Sequence, residues 1–317
     1  MAGSRIYSNA VAQYMSGRIL DGEQLKRLAD AAYFDALKML FDYGYGEGLS
    51  IENADIDTLI DAELNALIAF VSDYAGDAVL KRVLTDKYQY VNIKAAYKQK
   101  MSAVRAAALF PAFRGAYEAV LSGDYGSLYP ETAETLTALD RDAQQAPLTA
   151  SAIDGALTKC YYAGLTRPVK NPLYHSLRRY LKTEIDYKNI ASAFRCRAIG
   201  LTPAYLREQL IAGGTLGGEM LEKVLTDLAA FYQDLPADFD EAAAILNGGV
   251  GLSAFEREMD RLLYDEAAKN SEDMTGAKPF IHYVVGREIE LKTVRMIVTL
   301  IKNDARGEIA PRLRRLS

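Results

Sequence analysis

A helical segment recurs three times along this chain, at a spacing of about a hundred residues. The copies read Tyr90-Val91-Asn92-Ile93-Lys94-Ala95-Ala96-Tyr97-Lys98, Tyr187-Lys188-Asn189-Ile190-Ala191-Ser192-Ala193-Phe194-Arg195 and Leu291-Lys292-Thr293-Val294-Arg295-Met296-Ile297-Val298-Thr299. Asn92, Asn189 and Thr293 align, which places the copies 97 and 104 residues apart. A second element keeps the period. Leu20-Asp21-Gly22-Glu23-Gln24-Leu25 matches Leu216-Gly217-Gly218-Glu219-Met220-Leu221, 196 residues later, with a weaker echo at Leu121-Ser122-Gly123-Asp124. Self-similarity at a fixed period decides the fold before any local pattern does. A unit of this length is too long for one turn of a solenoid. The expectation is three similar helical subdomains, at 1–112, 113–212 and 213–317.

Within the units the hydrophobic period is that of a helix nearly everywhere. Leu25, Leu28, Ala29 and Ala32 predict an amphipathic helix with Asp21 as its cap. Phe34, Leu37, Leu40 and Phe41 predict the next, stopped by Gly44-Tyr45-Gly46-Glu47-Gly48. Ile56, Leu59, Ile60, Leu64, Leu67 and Ile68 follow the same rule. In the recurring segment the stripes are Tyr90, Ile93 and Tyr97, then Ile190, Phe194 and Ala198, then Leu291, Val294, Ile297 and Ile301. Breaks are predicted at Gly123–Pro130, Gln144–Pro147, Thr166–Pro172, Ala212–Gly218, Leu235–Asp240, Gly248–Gly251 and Gly276–Pro279. Few runs alternate in the manner of a strand, so the fold class is all-α.

Composition narrows the functional classes. A chain of 317 residues, 50% hydrophobic and 25% charged, is long enough for more than one core. Its net charge of −5 argues against bulk affinity for nucleic acid. Cys160 and Cys196 are its two cysteines, too few for a disulfide framework and in keeping with a reducing compartment. The start, Met1-Ala2-Gly3-Ser4-Arg5, lacks a signal-peptide core. The apolar runs fall far short of the roughly 20 residues that span a bilayer. The expected protein is soluble, or held to a membrane complex from outside.

Charge is uneven, and the unevenness repeats. Met39 to Leu80 carries nine acids and no base, Gly115 to Asp140 five and none, and Val224 to Glu256 six and none. Lys81 to Arg105 holds seven bases against one acid, Arg178 to Arg207 seven against two, and Arg287 to the end eight against four. Solvated helix faces produce such runs by themselves. Their phase with the repeat raises a second expectation, that one end of the body is acidic and the other basic, as suits a spacer between two charged partners.

Catalytic signals are sparse. His175 and His282 are the only histidines, and no paired cysteines or histidines offer metal-ligand spacing. Gly213-Gly214-Thr215-Leu216-Gly217-Gly218 lacks the ending and the preceding strand of a phosphate loop and reads as a helix-to-helix connection, as does Gly248-Gly249-Val250-Gly251. Asp57 and Asp61, four apart on a helix, read as a solvated acidic face. Tyr43, Tyr45, Tyr97 and Tyr187 are expected to bury their rings and leave their hydroxyls wet. No cofactor and no small-molecule substrate is expected.

Several stretches, in order along the whole chain, resemble a known family. They are Gly17-Arg18-Ile19-Leu20 with Tyr45-Gly46, Glu184-Ile185-Asp186-Tyr187-Lys188-Asn189-Ile190 with Arg195-Cys196-Arg197, Gly200-Leu201-Thr202-Pro203 with Gly213-Gly214-Thr215-Leu216, and Pro279, Tyr283, Arg287-Glu288-Ile289-Glu290 and Val294-Arg295. They are similar to the C subunits of the rotary V/A-type ATPases, the counterparts of the eukaryotic d subunit. Glu131 to Gln145 stands out as an insertion-like acidic region.

The resemblance implies an all-helical, non-catalytic protein whose three subdomains form a pseudo-threefold funnel. It implies as partners the central-stalk subunits, received in the mouth of the funnel, and the membrane rotor ring under its closed end. The implied location is peripheral, at the cytoplasmic face of the membrane, where such a protein couples ATP hydrolysis or synthesis to proton or sodium transport. The residues singled out for structural or interface roles are Asp186, Asn189, Arg195, Glu290, Arg295, Asp55, Asp57 and Asp61. Glu290 or Arg295 is expected to tie the closing helix to a neighbour. Two other classes stay open at this point. One is a generic helical adaptor; the other is an all-helical enzyme with a carboxylate-lined pocket.

Overall fold

A computed structural model describes residues 2–312 except 53, 103–109, 172–173, 249–250, 270–273 and 275. Positions 103–105 of the first basic stretch, Pro172, and 249–250 of the Gly248–Gly251 break lie outside the described residues. Helix runs through the chain, and no strand occurs among the described residues. The elements are α1 (Ala2–Ser16), α2 (Gly22–Asp30), α3 (Tyr33–Asp42), α4 (Ile56–Tyr74), α5 (Ala78–Met101), α6 (Arg114–Ser122), α7 (Pro130–Gln145) and α8 (Ala150–Thr166). They continue with α9 (His175–Ala198), α10 (Pro203–Gln209), α11 (Gly218–Thr226), α12 (Leu228–Asp234), α13 (Asp240–Asn247), α14 (Gly251–Ala268), α15 (Lys278–Lys302) and α16 (Ile309–Arg312).

The helices begin where the local chemistry allows. Asp21 accepts from the backbone of Gln24 at 2.8 Å, and the Gln24 side chain accepts from the backbone of Asp21 at 2.9 Å, so a reciprocal cap opens α2. Asp55, Asp77, Thr149 and Thr202 cap α4, α5, α8 and α10 in the simpler one-sided way. Proline opens α7, α10 and α15, where its missing N–H leaves no bond unmade.

The three recurring segments lie on the three longest described helices, α5 and α9 with 24 residues each and α15 with 25. The helices gather into two compact units, Met1–Gly76 with Gly248–Ser317, and Asp77–Asn247.

In the first unit α15 is the spine, and α1, α2, α3, α4 and α14 pack on it. Leu291, Val294, Ile297 and Ile301 join Leu25, Leu28, Leu37, Leu40, Leu59 and Ile60 in one core. Burying an aliphatic side chain of this size contributes about 1.5–3 kcal/mol. Burial goes beyond the expected stripe, since Tyr283, Val284, Val285, Ile289 and Val298 are buried as well. A helix covered by neighbours on several sides needs apolar residues on several faces, which a one-stripe reading undercounts. Phe34 departs from its predicted role, for it is 74% exposed, with its ring edge-on to that of Tyr33.

In the second unit α5 packs on α6 and α8, α7 on α8, and α9 on α11. Tyr90, Ile93, Tyr97 and Ile190 are buried as expected. Phe194 is half-buried, its ring beside those of Phe231 and Tyr232, and Ala198, the last residue of α9, is exposed. The acidic region Glu131 to Gln145 is an ordinary helix, α7, with Leu136 and Leu139 buried.

The aligned polar position has a physical meaning. Asn92 donates to the carbonyl of Phe110 and accepts from its N–H, both at 2.9 Å. Asn189 does the same to Ile211, at 2.8 and 2.9 Å. A buried loop residue must satisfy a donor and an acceptor at once, and a carboxamide is the side chain that offers both. Thr293 takes a different course and bonds the carbonyl of Ile289 in its own helix at 2.7 Å.

Candidate functional site

Three residues before the aligned position stand Asp186 on α9 and Glu290 on α15, both fully buried. Asp186 accepts from the N–H of Thr215 at 2.9 Å, from its hydroxyl at 2.5 Å, and from the N–H of Leu216 at 3.0 Å. Glu290 accepts through Oε1 from the N–H of Leu20 at 3.1 Å and from the hydroxyl of Tyr45 at 2.7 Å. Leu20 and Leu216 are the aligned leucines of the second repeated element, so the sequence period corresponds to an interaction made twice. In the first copy the position holds Gln89, whose side-chain oxygen is buried without a partner among the described residues.

Around Glu290 the first unit assembles a buried charge cluster. Arg287, 14% exposed, lies 2.6 Å from Oε2 of Glu290 and 2.6 Å from Oε2 of Glu63 on α4. It donates to the Tyr45 hydroxyl at 3.2 Å and lies over that ring, 4.6 Å from its centre. Burial works against the guanidinium charge, but Tyr45, Glu290 and Glu63 outweigh it and hold it on. Burial, with Glu290 beside it, keeps the Tyr45 phenol protonated well above its ordinary range. The other oxygen of Glu63 accepts from the N–H of Gly46 at 2.8 Å. Gly46 has φ +72°, and a Cβ there would fall 2.5 Å from Leu59. The Tyr45-Gly46 turn is therefore fixed by a backbone only glycine tolerates and by charges from two helices. An open cleft of about 830 Å³ adjoins the cluster, with Arg18, Tyr43, Asp73 and Tyr283 on its walls.

The remaining sequence-predicted residues lie elsewhere. Asp55 accepts from the N–H and the hydroxyl of Thr58, both at 2.8 Å, and these bonds hold its carboxyl below the ordinary range. Asp57 pairs with Arg295 through Nε at 2.9 Å, on an exposed edge of α4 and α15. Asp61 lies nearby, its carboxyl raised by partial burial against the opposing pull of Arg295. Arg195 is exposed near the end of α9. Among the described residues no group of three or more His, Cys, Asp or Glu is placed to hold a metal. The His282 ring lies 4.4 Å from that of Tyr264, tilted by 30°, and burial lowers its pKa.

Acidic and basic stretches pair with one another inside each unit. Asp57 and Glu63 of the first acidic stretch bond Arg295 and Arg287 of the last basic one, and Asp140 bonds Lys100 at 2.9 Å. Opposite charges gain more by pairing across neighbouring helices than by standing apart. The tyrosine expectation changes for the same reason, since Tyr45 and Tyr97 spend their hydroxyls on Glu290 and Asp140.

A family model described as ATP synthase (C/AC39) subunit matches residues 8–312. The chain belongs to that family. It is 24% identical over 315 residues to the C subunit of the V-type ATP synthase of Thermus thermophilus, covering 94% of each chain. It is 22% identical over 304 residues to the C subunit of the A-type ATP synthase of Methanococcoides burtonii, covering 89% of this chain and 80% of that one. The corresponding A-type protein of Pyrococcus horikoshii is 23% identical over 341 residues, covering 95% and 88%. No described helix is long and apolar enough to cross a membrane.

In this member of the ATP synthase (C/AC39) family a second, part-buried charge cluster joins α5 to α7 at residues not singled out from the sequence. Arg82 on α5 bonds Asp86 at 2.9 Å and Glu131 on α7 at 3.0 Å, and lies over the ring of Tyr129, 3.7 Å from its centre. The i,i+4 spacing of Arg82 and Asp86 was a visible signal, but nothing local shows that Asp86 is buried. Burial raises its carboxyl from the ordinary 3.8 to about 6, against the pull of Arg82. The folded protein then holds this proton more tightly than the unfolded chain, so stability falls as pH rises through that interval. A shift of about two units is worth at most ~3 kcal/mol. Relative to Asp86→Asn, the wild type is expected to lose about 1–3 kcal/mol between pH 4 and 7. Urea unfolding of both at four pH values checks this, and parallel profiles would contradict it.

Proposed function

We propose that this chain is the non-catalytic coupling component of a rotary V/A-type ATPase, seated between the central stalk and the membrane rotor ring. In that position it passes torque, so that ATP hydrolysis or synthesis is coupled to proton or sodium transport. The observation that carries the reading is the family match over residues 8–312. The three long helices and the twice-made carboxylate interaction are in keeping with three similar subdomains, 1–112, 113–212 and 213–317, arranged as a pseudo-threefold funnel at the cytoplasmic face. In this reading Asp186, Asn189 and Glu290 are structural. Arg195, Arg295, Asp55, Asp57 and Asp61 belong to the surface that meets partners.

The mechanical demand supports the assignment. A torque-bearing body must not shear between helices, and close-packed interiors have low compressibility. Glu290 and Arg287 bind α15 to the loop after α1 and to α4, which opposes sliding of one element past another. Exposed charges are screened beyond about 8 Å at physiological salt, so rim charges orient the partners and apolar and tyrosine contacts hold them.

Solubilised membranes from cells carrying an affinity-tagged copy provide the test. Co-purification of stalk and ring subunits is expected, and cells lacking the chain should retain ATP hydrolysis while losing ATP-driven ion uptake. Recovery with soluble partners alone, or ion uptake unaffected by deletion, would refute the assignment.

A further inference from the structure

In the second unit a concavity of about 700 Å³ opens between the end of α8, the first half of α9 and the loop after α10. Five cations line it, Lys159 from α8, Arg167 and Lys170 from the turn that follows, and Arg178 and Lys182 from α9. No aspartate or glutamate is among its lining residues. Elsewhere in the unit Lys98 pairs with Asp154, Lys100 with Asp140, Arg207 with Glu222 and Lys223 with Asp234, while Lys94 bonds the Thr158 hydroxyl and Arg197 the carbonyl of Val224. None of the five has a carboxylate partner among the described residues. Lys159 donates to the main-chain carbonyl of Glu208, and Arg178 to that of Lys170 at 3.4 Å.

Helix geometry explains the convergence. Lys159, Ala163 and Thr166 follow one face of α8, and Arg178, Leu181 and Lys182 one face of α9. Arg167 and Lys170 stand at the C-terminal end of α8, where cations are favoured by the helix dipole. The dipole accounts for those two; it does not account for Lys159, Arg178 and Lys182, which are half-buried on the walls. Val169, Leu181 and Leu210 supply an apolar floor. Like charges held within a Debye length of one another raise the potential in a concave site and are relieved by an anion.

We propose that this concavity binds a phosphate ester carried on an apolar body. A phosphate brings about −1.5 to −2 charges and three acceptor oxygens, which suits several lysines and arginines at once. The volume falls within the ~300–1,000 Å³ of small-ligand sites. An acidic protein partner would instead need a surface burying roughly 800 Å² per side. The ester comes from one of two sources, a soluble organic phosphate or the head group of a membrane phospholipid. The inference is independent of the coupling role.

The full-length protein is titrated with phenyl phosphate, and separately with phosphatidylcholine vesicles containing one-fifth phosphatidic acid. Saturable binding to at least one is expected, and which one identifies the source. Lys182→Glu should weaken it about tenfold or more. Lys38→Glu, the same charge change at an exposed site in the other unit, should leave it within about twofold. Lys182→Gln, which keeps the apolar stem, should also weaken binding while the urea midpoint stays at the wild-type value. No saturable binding to either probe overturns the proposal, and so does equal weakening by Lys38→Glu. Binding of poly-glutamate with the same sensitivity to Lys182, and of neither phosphate probe, overturns it in favour of an acidic protein partner.

Discussion

Replacement of Arg287 by methionine is expected to destabilise the first unit by about 3–5 kcal/mol. Methionine fills the volume of the arginine stem but brings no charge. Glu290, fully buried, and Glu63, with its side chain 12% exposed, would then face each other without the cation that now lies 2.6 Å from each. Desolvated carboxylates with no counter-charge cost far more than the surface pairs of this protein, which are worth about 0–1 kcal/mol each. Adding Glu290→Gln should recover much of the loss, because the amide still accepts from the N–H of Leu20 and the hydroxyl of Tyr45 and leaves one carboxylate in place of two. Urea unfolding of the two variants beside the wild type is the check. A cost below about 1 kcal/mol for Arg287→Met, or no recovery in the double variant, would show that solvent reaches the cluster and screens it.

That cluster marks where the sequence stops being readable. Helix content, the cap at Asp21, the turn at Tyr45-Gly46 and the three long helices follow from short-range patterns, since caps, glycine turns and hydrophobic period act within a few residues. The partners of Glu290 do not. Leu20 and Tyr45 lie 270 and 245 positions away from it, and Arg287 meets Glu63 across 224. Hydrophobic period gave no warning that α15 is covered on several sides, and Glu290 looked like any polar residue between two stripes. The charge stretches misled for a related reason. Composition reports which segments are acidic or basic, whereas pairing between α4 and α15 is decided by which helices the fold makes neighbours. The repeat carried further than either pattern. Asn92 and Asn189, aligned as markers of the period, both clip a loop backbone, and Leu20 and Leu216 both donate their N–H to a buried carboxylate; the alignment marked the positions, and the fold supplies the bonds.

The two carboxylate interactions differ by one methylene, and that difference leads to the second large effect. Glutamate at 290 reaches the backbone N–H of Leu20 with Arg18 two residues before it. The shorter Asp186 reaches Leu216 only because the loop backbone comes closer, and the residue two before Leu216 is Gly214. A Cβ at Gly214 would fall 2.1 Å from Oδ1 of Asp186, 2.9 Å from its Cγ and 3.2 Å from the Ile185 side chain. Asp186 cannot swing aside without releasing the Thr215 and Leu216 donors. Gly214→Ala is therefore expected to cost about 3 kcal/mol, at the upper end of what overpacking does. Asp186→Ala should cost about 2–4 kcal/mol, since it strands two backbone N–H groups and a hydroxyl. Together the two substitutions should cost less than their sum by at least about 1 kcal/mol, because alanine at 186 removes the atoms that the new Cβ strikes. Gly115→Ala is the control in the same unit, where a Cβ meets nothing within 4 Å. There alanine, in the first turn of α6, should be neutral or stabilise by up to about 0.5 kcal/mol. Additive costs at 186 and 214 would mean that the loop, not the carboxylate, yields to the methyl, and that the close approach is not what selects glycine at 214.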